Sequence, residues 1–245
     1  MKFEREDGET IAYLARGGKS PGVIWLGGFK SDMTGTKAAA LDDWAARTGR
    51  AFLRFDYFGH GQSSGDFRQG TISRWRDDAI AVLDRLTEGP QILVGSSMGG
   101  WISLLLARAR PERIAGMLLI APAADFTEAL MWSRLPPEVQ REIMEKGEWQ
   151  RPSQYEAPYP ITRALIEDGR RNLILDAPLK FDFPVRILQG MLDPDVPWMH
   201  AVKTIERIEG DATLTLIKNG DHRLSTPHDL TRMVRALENL LDHIK

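Results

Sequence analysis

The segment that decides the fold is GPQILVGSSMGGW, residues 89–101. Within it, residues 95–99 have the pattern G-x-S-x-G, between an apolar run at 92–94 and a helix-like run at 101–107. In a strand–turn–helix setting, this pattern places its central serine, Ser97, on a sharp turn that exposes the hydroxyl group. The two outer glycines are expected because a Cβ there would collide with the neighbouring backbone. Taken alone, these five residues are also compatible with a Gly/Ser-rich loop that connects a strand to a helix and has no chemical role.

The composition is that of an ordinary globular protein. The chain has 245 residues, of which 42% are hydrophobic and 27% are charged. This is enough for a single domain, residues 1–245, with a sizeable core. The formal net charge of -2 gives no electrostatic footprint for nucleic acid or for an anionic membrane. The chain has no cysteine, which excludes disulfides, thiolate metal sites and a cysteine nucleophile.

The cellular location is predicted from two features. Residues 1–7, MKFERED, carry too many charges for a secretory signal peptide. No apolar run approaches the roughly 18 residues that cross a bilayer. We therefore expect a cytoplasmic protein without a transmembrane segment.

Strands and helices are predicted to alternate along most of the chain. A hairpin around Asp7-Gly8 comes first. The predicted strands that follow are residues 23–26, 51–55, 92–94, 114–120, 185–188 and 213–217, and the predicted helices are 37–47, 75–86, 101–107, 199–208 and 227–244. This alternation predicts an α/β fold with a mainly parallel, doubly wound sheet. Because ligands bind beyond the carboxyl ends of the strands in such sheets, we expect the functional site at that edge.

Residues 125–182 interrupt the alternation. The stretch contains several prolines and the bulky side chains of Trp132, Trp149, Tyr155 and Tyr159. An insert of roughly 60 residues is long for a connection between two strands. We interpret it as a mostly helical lid over the carboxyl edge of the sheet, and the alternative is an insert that only adds core.

A serine hydroxyl is a weak nucleophile at neutral pH and needs a base, for which an imidazole is suitable. Four of the five histidines are explained by loop or helix-end positions: His60, His200, His228 and His243. His222 comes just after the last predicted strand, at the same edge of the sheet as Ser97. We therefore predict His222 as the base, with His60 as the alternative.

The base in turn needs a carboxylate that fixes its tautomer and stabilises the imidazolium. Two candidates, Asp193 and Asp195, follow the predicted strand at 185–188. Their chemistry does not distinguish them. Either one gives the chain order serine, aspartate, histidine, whereas chymotrypsin-like and subtilisin-like enzymes use other orders.

The oxyanion of a tetrahedral intermediate needs two hydrogen-bond donors. One candidate is the backbone N–H of Met98, which follows Ser97 at a predicted helix start, where the dipole favours negative charge. The second is the backbone N–H of Phe29, in the turn formed by residues 26–29, LGGF, after an early strand. We also expect Gly28 of this turn to lie against the substrate. A Gly-Gly turn is also common without any such role.

Five stretches together resemble the α/β-hydrolase superfamily over nearly the whole chain. They are residues 28–37 (GFKSDMTGTK), 54–59 (RFDYFG), 89–101, 190–198 and 221–223. Within the superfamily, the chain is similar to palmitoyl-protein thioesterases that are also described as acyl-glucuronide esterases. Two departures are Gln189, where many relatives have a histidine, and the insert, which matches less well.

The resemblance implies roles for individual residues. The superfamily pattern G-x-x-D-x-x-V-P falls on residues 190–197 and implies Asp193, rather than Asp195, as the acid. The superfamily's serine falls on Ser97 and its histidine on His222.

The implied function is a serine hydrolase that cleaves acyl thioesters or carboxylic esters through an acyl-enzyme. Its substrate would be a small molecule or an acylated protein, and no metal or organic cofactor is needed. We expect Trp132 and the other aromatic residues of the lid, together with Trp198, to line an apolar acyl pocket, and the alternative is that they form the core of the lid. One alternative is a serine peptidase or amidase on the same fold, and another is a ligand-binding protein that kept the fold without turnover. The acyl chain length, the leaving group and the oligomeric state stay open.

Overall fold

An eight-stranded sheet forms the centre of the fold. The computed structural model describes residues 1–152 and 158–244, so Tyr155 of the predicted lid lies outside the described residues. In chain order, the strands are β1 (Lys2–Glu4), β2 (Thr10–Arg16), β3 (Lys19–Leu26), β4 (Arg50–Phe55), β5 (Gln91–Ser96), β6 (Ile114–Ile120), β7 (Glu148–Arg151), β8 (Tyr159–Thr162), β9 (Leu179–Lys180), β10 (Val185–Gly190), β11 (Ile208–Glu209) and β12 (Ala212–Ile217). The large sheet has the order β1-β2-β4-β3-β5-β6-β10-β12. β2 pairs antiparallel with β1 and β4, and the pairs from β4 to β12 are parallel.

The α-helices of the described residues are α1 (Thr36–Thr48), α2 (Ile72–Leu86), α3 (Met98–Ala109), α4 (Pro137–Lys146), α5 (Arg163–Arg171), α6 (Trp198–Arg207) and α7 (Pro227–Asp242). Two of them, α2 and α3, begin three residues earlier than predicted. The Thr71 hydroxyl caps α2 by accepting the backbone N–H of Arg74 at 3.2 Å, and α3 begins directly after the turn at Ser97. The predicted α/β fold with a mainly parallel, doubly wound sheet is confirmed. In the described part of the chain, no helix combines the length and the apolar character that crossing a membrane requires.

Apolar side chains of the parallel strands alternate between the two faces of the sheet. Ile24 and Leu26 of β3 pack in the core cluster that α2 and α3 complete. Val23 and Trp25 pack in the opposite cluster, with α1 and α7. Because successive side chains of a strand point to opposite faces, the continuous apolar run at 23–26 serves both clusters. The sheet is therefore covered on both faces, and its carboxyl edge carries the loops of the site.

The insert at residues 125–182 is helical only in part. It contains α4 and α5, but also an antiparallel hairpin of β7 and β8, in which Trp149 pairs with Ile161. The prediction of a mostly helical lid missed this hairpin. Its two strands have four residues each, which is too short for a period-two pattern to be recognised, and a proline in β8 obscures the second strand further.

Two buried carboxylates, Asp125 and Asp168, hold the insert in place. Asp125, at its start, accepts the backbone N–H groups of Ile174 at 2.9 Å and Leu175 at 3.0 Å, which lie near its end. Asp168 of α5 accepts both the backbone N–H and the hydroxyl of Ser73 in α2, each at 2.8 Å. The Asp125 bonds therefore join the two ends of the insert, and the Asp168 bonds attach the insert to α2.

Candidate active site

Ser97 lies on a sharp turn between β5 and α3. Its φ and ψ angles are 54° and -118°, which residues with a side chain rarely adopt. A Cβ on Gly95 would lie 2.4 Å from the carbonyl oxygen of Gly99, and one on Gly99 would lie 2.0 Å from that of Leu26. Both distances are far below van der Waals contact, so the turn requires glycine at both positions.

His222 lies beside Ser97. Its Nε2 atom is 3.2 Å from the Ser97 Oγ atom, although the two residues are 125 positions apart. Ser97 follows β5 and His222 follows β12. Because the parallel strands end at one edge of the sheet, the loops that follow them bring the two side chains together.

Asp193, rather than Asp195, contacts the imidazole. Its Oδ2 atom lies 2.7 Å from Nδ1 of His222, and its side chain has no solvent-exposed surface. Its Oδ1 atom accepts the backbone N–H of Asp195 at 2.9 Å and that of Val196 at 2.8 Å. Such charge-assisted bonds orient the carboxylate and stabilise its charge. Asp195 therefore contributes a backbone N–H that orients Asp193, and Asp195 is an exposed residue.

Gln189 is a buried residue of this site that the sequence analysis noted only as a departure from a pattern. Its Nε2 group donates to Oδ2 of Asp193 at 3.1 Å, to the Gly190 carbonyl at 3.1 Å and to the Val196 carbonyl at 2.9 Å. The side chain thereby ties Asp193 to both sides of its own loop. The available signal was a polar residue directly after the apolar pair Ile187-Leu188 of a predicted strand, where burial demands hydrogen-bond partners.

The hydrogen bonds of three other histidines connect them to the backbone elsewhere. In His60, Nδ1 lies 3.0 Å from the Phe58 carbonyl and Nε2 lies 3.1 Å from the Lys30 backbone nitrogen. His200 pairs with the Ala124 carbonyl at 2.7 Å, and His243 with that of Asn239 at 2.7 Å. The fourth, His228, is an exposed residue in the first turn of α7. The structure thus brings His222, and not the alternative His60, to the serine.

The two predicted oxyanion donors lie next to Ser97. Met98 is the first residue of α3, Phe29 follows β3, and both line the same cavity as Ser97. Over the described residues, neither backbone N–H group donates to a protein acceptor. For Met98 this follows from its position, because the first N–H groups of a helix have no partner within it. Two available N–H groups beside a serine hydroxyl are an arrangement that can bind an oxyanion.

A cavity of about 960 Å³ opens at Ser97 and His222. Its apolar lining comes mostly from the insert and includes Phe126, Leu130, Met131, Leu135, Trp149 and Tyr159. Arg134 and Arg151 add positive charge to the lining. The volume lies near the upper end of the range for small-molecule pockets, so the cavity has room for a large apolar group.

Trp132 and Trp198 are not among the described residues that line either cavity at Ser97. The guanidinium of Arg170 lies 4.8 Å from the centroid of the Trp132 ring, which packs against the core cluster. Trp198 is the first residue of α6. The tryptophan that does line the larger cavity is Trp149 of the hairpin. The expectation is corrected for both tryptophans. Packing within the insert, rather than residue type, orients the Trp132 ring, and Trp198 lies outside the insert at the start of α6.

A second, more polar cavity of about 550 Å³ meets the first at Ser97. Gly28 lines it, and a Cβ there would lie 3.5 Å from the Cβ of Ser97. Lys30 and Lys37 also line it. Lys37 donates a hydrogen bond to the Arg223 carbonyl, and its burial lowers its pKa to about 8. Ser97 is therefore accessible both from the larger, apolar cavity and from the smaller, more polar cavity.

Among the described residues, one group of side chains could hold a metal ion. It consists of Asp193, Asp195 and His222, each of which offers a ligand atom within 4.8 Å of the others. The Nδ1 atom of His222 already shares a hydrogen bond of 2.7 Å with Asp193. An ion bound there would have to replace that bond. That the chemistry needs no metal or organic cofactor stays a prediction.

Solved structures identify the class of protein. A crystal structure of a protein from Agrobacterium vitis S4 matches with a TM-score of 0.93 at 47% identity, over 98% of this chain and 97% of that one. Alpha/beta hydrolase domain-containing protein 10 from mouse matches with a TM-score of 0.91 at 38% identity, over 99% and 98% of the two chains. The fold is therefore that of an α/β-hydrolase, as the resemblance implied.

Sequence comparisons identify the family within this class. The family model described as Serine aminopeptidase, S33 (Hydrolase_4) matches residues 23–164. The mouse protein named palmitoyl-protein thioesterase ABHD10, mitochondrial, is 40% identical over 245 residues, which are 99% of this chain and 82% of that protein. The chain belongs to this family of α/β-hydrolases, and it is a hydrolase.

The predicted cytoplasmic location is wrong by the same comparison. The mouse and human relatives are both named as mitochondrial proteins. The charges at residues 1–7 argue only against a secretory signal peptide. They carry no information that separates the cytoplasm from the mitochondrion, so the inference went further than its evidence.

Proposed function

We propose that this hydrolase cleaves acyl thioesters or carboxylic esters through an acyl-enzyme formed on Ser97. The family supports a hydrolase of thioester or ester bonds, and the proposal assigns that chemistry to three side chains. The observation that carries it is a continuous hydrogen-bonded series. Ser97 Oγ lies 3.2 Å from His222 Nε2, and His222 Nδ1 lies 2.7 Å from Asp193 Oδ2. Such a series is recognised by its geometry and by the role of each group.

His222 acts first as a base and then as an acid. Asp193 holds the imidazole hydrogen on Nδ1, which leaves the Nε2 lone pair for the Ser97 hydroxyl. Nε2 takes the hydroxyl proton as Oγ attacks the acyl carbonyl, and Asp193 stabilises the imidazolium that forms. The same proton then passes to the leaving group. In the second half of the cycle, His222 activates water in the same way, and water releases the acid.

The backbone N–H groups of Phe29 and Met98 bind the oxyanion of each tetrahedral intermediate. Removing one such donor typically costs about 10²–10³ in rate. The Met98 donor lies at the N-terminus of α3, where the helix dipole also favours negative charge. These groups are in place before the reaction, so little reorganisation is needed as charge develops.

The proposal places the two halves of the substrate in the two cavities. The apolar cavity of about 960 Å³ would take the acyl chain, and the polar cavity with Lys30 and Lys37 would take the leaving group. A long acyl chain is also suggested by the mouse relative, which is named as a palmitoyl-protein thioesterase. The substrate is then an acylated protein or a small acyl thioester, with an acyl glucuronide as an oxygen-ester substrate of the same site.

The leaving group decides how much the enzyme depends on the imidazolium. A thiolate leaves with little help, because the pKa of its conjugate acid is about 8.5. An alkoxide needs the proton of His222 far more. The same three side chains can therefore serve both substrates, with a stricter demand on His222 for the ester.

A matched pair of substrates tests the proposal. A thioester and an oxygen ester with the same long acyl chain are offered to the wild type and to Ser97→Ala. We expect the wild type to cleave both and Ser97→Ala to cleave neither, at an unchanged unfolding temperature. Turnover that survives in Ser97→Ala would exclude Ser97 as the nucleophile, and a wild type inactive on both substrates would exclude the substrate class.

A peptidase or amidase activity is the second candidate, because the matching family model is described as Serine aminopeptidase, S33. An amide leaving group demands stricter proton delivery from His222 than an ester does. An amide with the same acyl chain is therefore added to the comparison. Faster cleavage of the amide than of the ester would favour this candidate, and stoichiometric capture without turnover would favour a binding protein.

A further inference from the structure

We infer that His60 is a positioning residue, which holds the loop of Phe29 in the conformation that binds the oxyanion. This rests on the proposed function, because that function assigns an oxyanion to the Phe29 N–H. His60 lies in the loop after β4 and is 4% exposed. Its Nε2 atom lies 3.1 Å from the backbone nitrogen of Lys30, the residue after Phe29.

Both ring nitrogens of His60 are used. Nδ1 lies 3.0 Å from the Phe58 carbonyl oxygen, and a carbonyl oxygen only accepts, so Nδ1 carries the hydrogen and donates it. Nε2 is left with a lone pair and accepts the N–H of Lys30. Burial lowers the pKa of His60 to about 4, so the ring is neutral near pH 7 and keeps this acceptor. No lone pair remains for the Ser97 hydroxyl, which pairs with His222.

Lys30 is the point at which the loop needs an outside hydrogen bond. Its φ angle is 56°, a left-handed conformation that residues with a side chain rarely adopt. The turn around it is tight, since the Ser31 N–H donates to the Gly28 carbonyl at 3.2 Å. The acceptor on His60 opposes relaxation of Lys30 to a commoner conformation. Such a relaxation would move the adjoining backbone of Phe29, whose N–H must point at the oxyanion.

The Phe29 side chain is held by the same aromatic rings that enclose His60. The Phe29 ring centroid lies 5.0 Å from that of Phe67 and 5.8 Å from that of Trp75. Both of those rings lie 5.2 Å from the imidazole of His60. Trp75 also donates to the Phe58 carbonyl at 3.1 Å, the same oxygen that accepts from His60. His60 thus contacts the loop through its backbone and through shared neighbours of Phe29.

Two substitutions separate the two hydrogen bonds of the imidazole. In His60→Gln, the amide extends to the position of Nε2 and can offer its oxygen to the Lys30 N–H. In His60→Asn, the shorter amide reaches only the position of Nδ1, so it can keep the bond to Phe58 but leaves the Lys30 N–H unpaired. Both variants lose the aromatic ring, and the loss of ring packing is therefore common to them.

The measurement is the second-order rate at which an alkyl fluorophosphonate modifies Ser97. The Ser97 oxygen forms a bond to phosphorus, fluoride leaves, and His222 takes the hydroxyl proton. The phosphoryl oxygen occupies the oxyanion position, so the rate reports on the Phe29 loop without requiring turnover of any ester. We expect His60→Gln to react within about tenfold of the wild type and His60→Asn to react about 100-fold more slowly, the cost of a displaced donor.

A second measurement compares kcat and KM for the long-chain ester, with thermal unfolding of the same samples. We expect His60→Asn to lower kcat with little change in KM. Equal rates for the two variants, or rates that follow the unfolding temperature alone, would overturn the inference and leave the proposed function standing. Should His60→Asn not fold, a 100-fold loss in a folded His60→Gln would overturn it as well. A wild type that does not react at Ser97 would overturn both.

Discussion

Replacing Asp193 with asparagine tests the proposed carboxylate at the level of single hydrogen bonds. In the wild type, Oδ1 accepts two backbone N–H groups, from residues 195 and 196, while Oδ2 accepts from His222 and Gln189. An amide has only one accepting oxygen. If that oxygen keeps the two backbone N–H groups, the amide NH₂ faces the imidazole and forces Nδ1 to accept. The hydrogen then moves to Nε2, and the serine faces an N–H in place of a lone pair.

The expected loss is large. Trapping the wrong tautomer by this substitution lowers kcat about 10⁴-fold in a serine protease triad, which corresponds to roughly 5 kcal/mol of transition-state stabilisation. Here the Gln189 amide adds to the conflict, because its Nε2 group lies 3.1 Å from Oδ2 and would meet a second donor. Rotating that amide removes the conflict only by giving up its bonds to the carbonyls of Gly190 and Val196. We therefore expect kcat to fall by about 10³–10⁴.

Asp195→Asn is the matched control. Asp195 supplies its backbone N–H to Asp193, which the substitution leaves in place, and it is exposed. The assay is kcat and KM for a long-chain oxygen ester at neutral pH, since an alkoxide depends most on the imidazolium, with unfolding temperatures as a check on folding. We expect Asp195→Asn to stay close to the wild type. Two outcomes would refute the reasoning: an equal decrease of kcat in the two variants, or a decrease of kcat below about tenfold in a folded Asp193→Asn.

Three further predictions concern the turn, the cavity and the pH dependence of stability. Gly99→Ala places a Cβ 2.0 Å from a backbone carbonyl oxygen, so the free energy of unfolding should fall by roughly 3 kcal/mol or more in urea. In the control Gly17→Ala, the added Cβ has no heavy atom within 4 Å, so the free energy of unfolding should change by less than about 0.5 kcal/mol. An equal loss of unfolding free energy in both variants would contradict the role of the turn. Trp149→Ala should raise KM for a long-chain ester about tenfold by removing apolar cavity surface, whereas Trp132→Ala should leave it unchanged; the reverse order would contradict the cavity lining. Burial lowers the pKa of His60 from 6.5 to about 4, so its stabilising contribution is complete above pH 6.5 and is lost as pH falls through 4. The wild type should therefore lose about 3 kcal/mol from this group between neutral pH and about pH 4, and urea titrations of His60→Gln that show the same loss would contradict this.

The main elements of the fold could be predicted because their causes are local. The apolar runs at 92–94 and 114–120 lie inside buried strands whose side chains serve both faces of the sheet. The need for glycine at position 95 is just as local, since the atoms that exclude a Cβ there lie only four and eight residues further along, in Gly99 and Ser103. The need for glycine at position 99 is not local, because the excluding carbonyl belongs to Leu26 of β3. Ser97, His222 and the two aspartates each follow a predicted strand. Because parallel strands end at one edge of the sheet, their positions in the sequence predicted that these side chains lie close together.

The insert was predicted less well because its structure depends on distant contacts. The hairpin of β7 and β8 has short strands and a proline, so its sequence shows no clear period. Trp132 and Trp149 are equivalent by residue type, and only packing turns the second toward the serine and leaves the first against Arg170. Gln189 was recognisable as an unusual residue, but its three hydrogen bonds require the folded loop.

The amino-acid sequence is sufficient to predict the α/β class, the sharp turn at Ser97 and the strand ends that carry His222 and the two aspartates. These follow from periodicity and from the glycine pattern around Ser97, both of which can be recognised over a few residues. The folded chain shows by direct contact that Asp193 faces the imidazole, since two backbone N–H groups of its own loop orient that carboxylate. It also decided which aromatic rings line the cavity and that His60 holds Lys30. Those outcomes depend on side-chain directions across loops and on contacts between segments far apart in the chain, which local sequence does not encode.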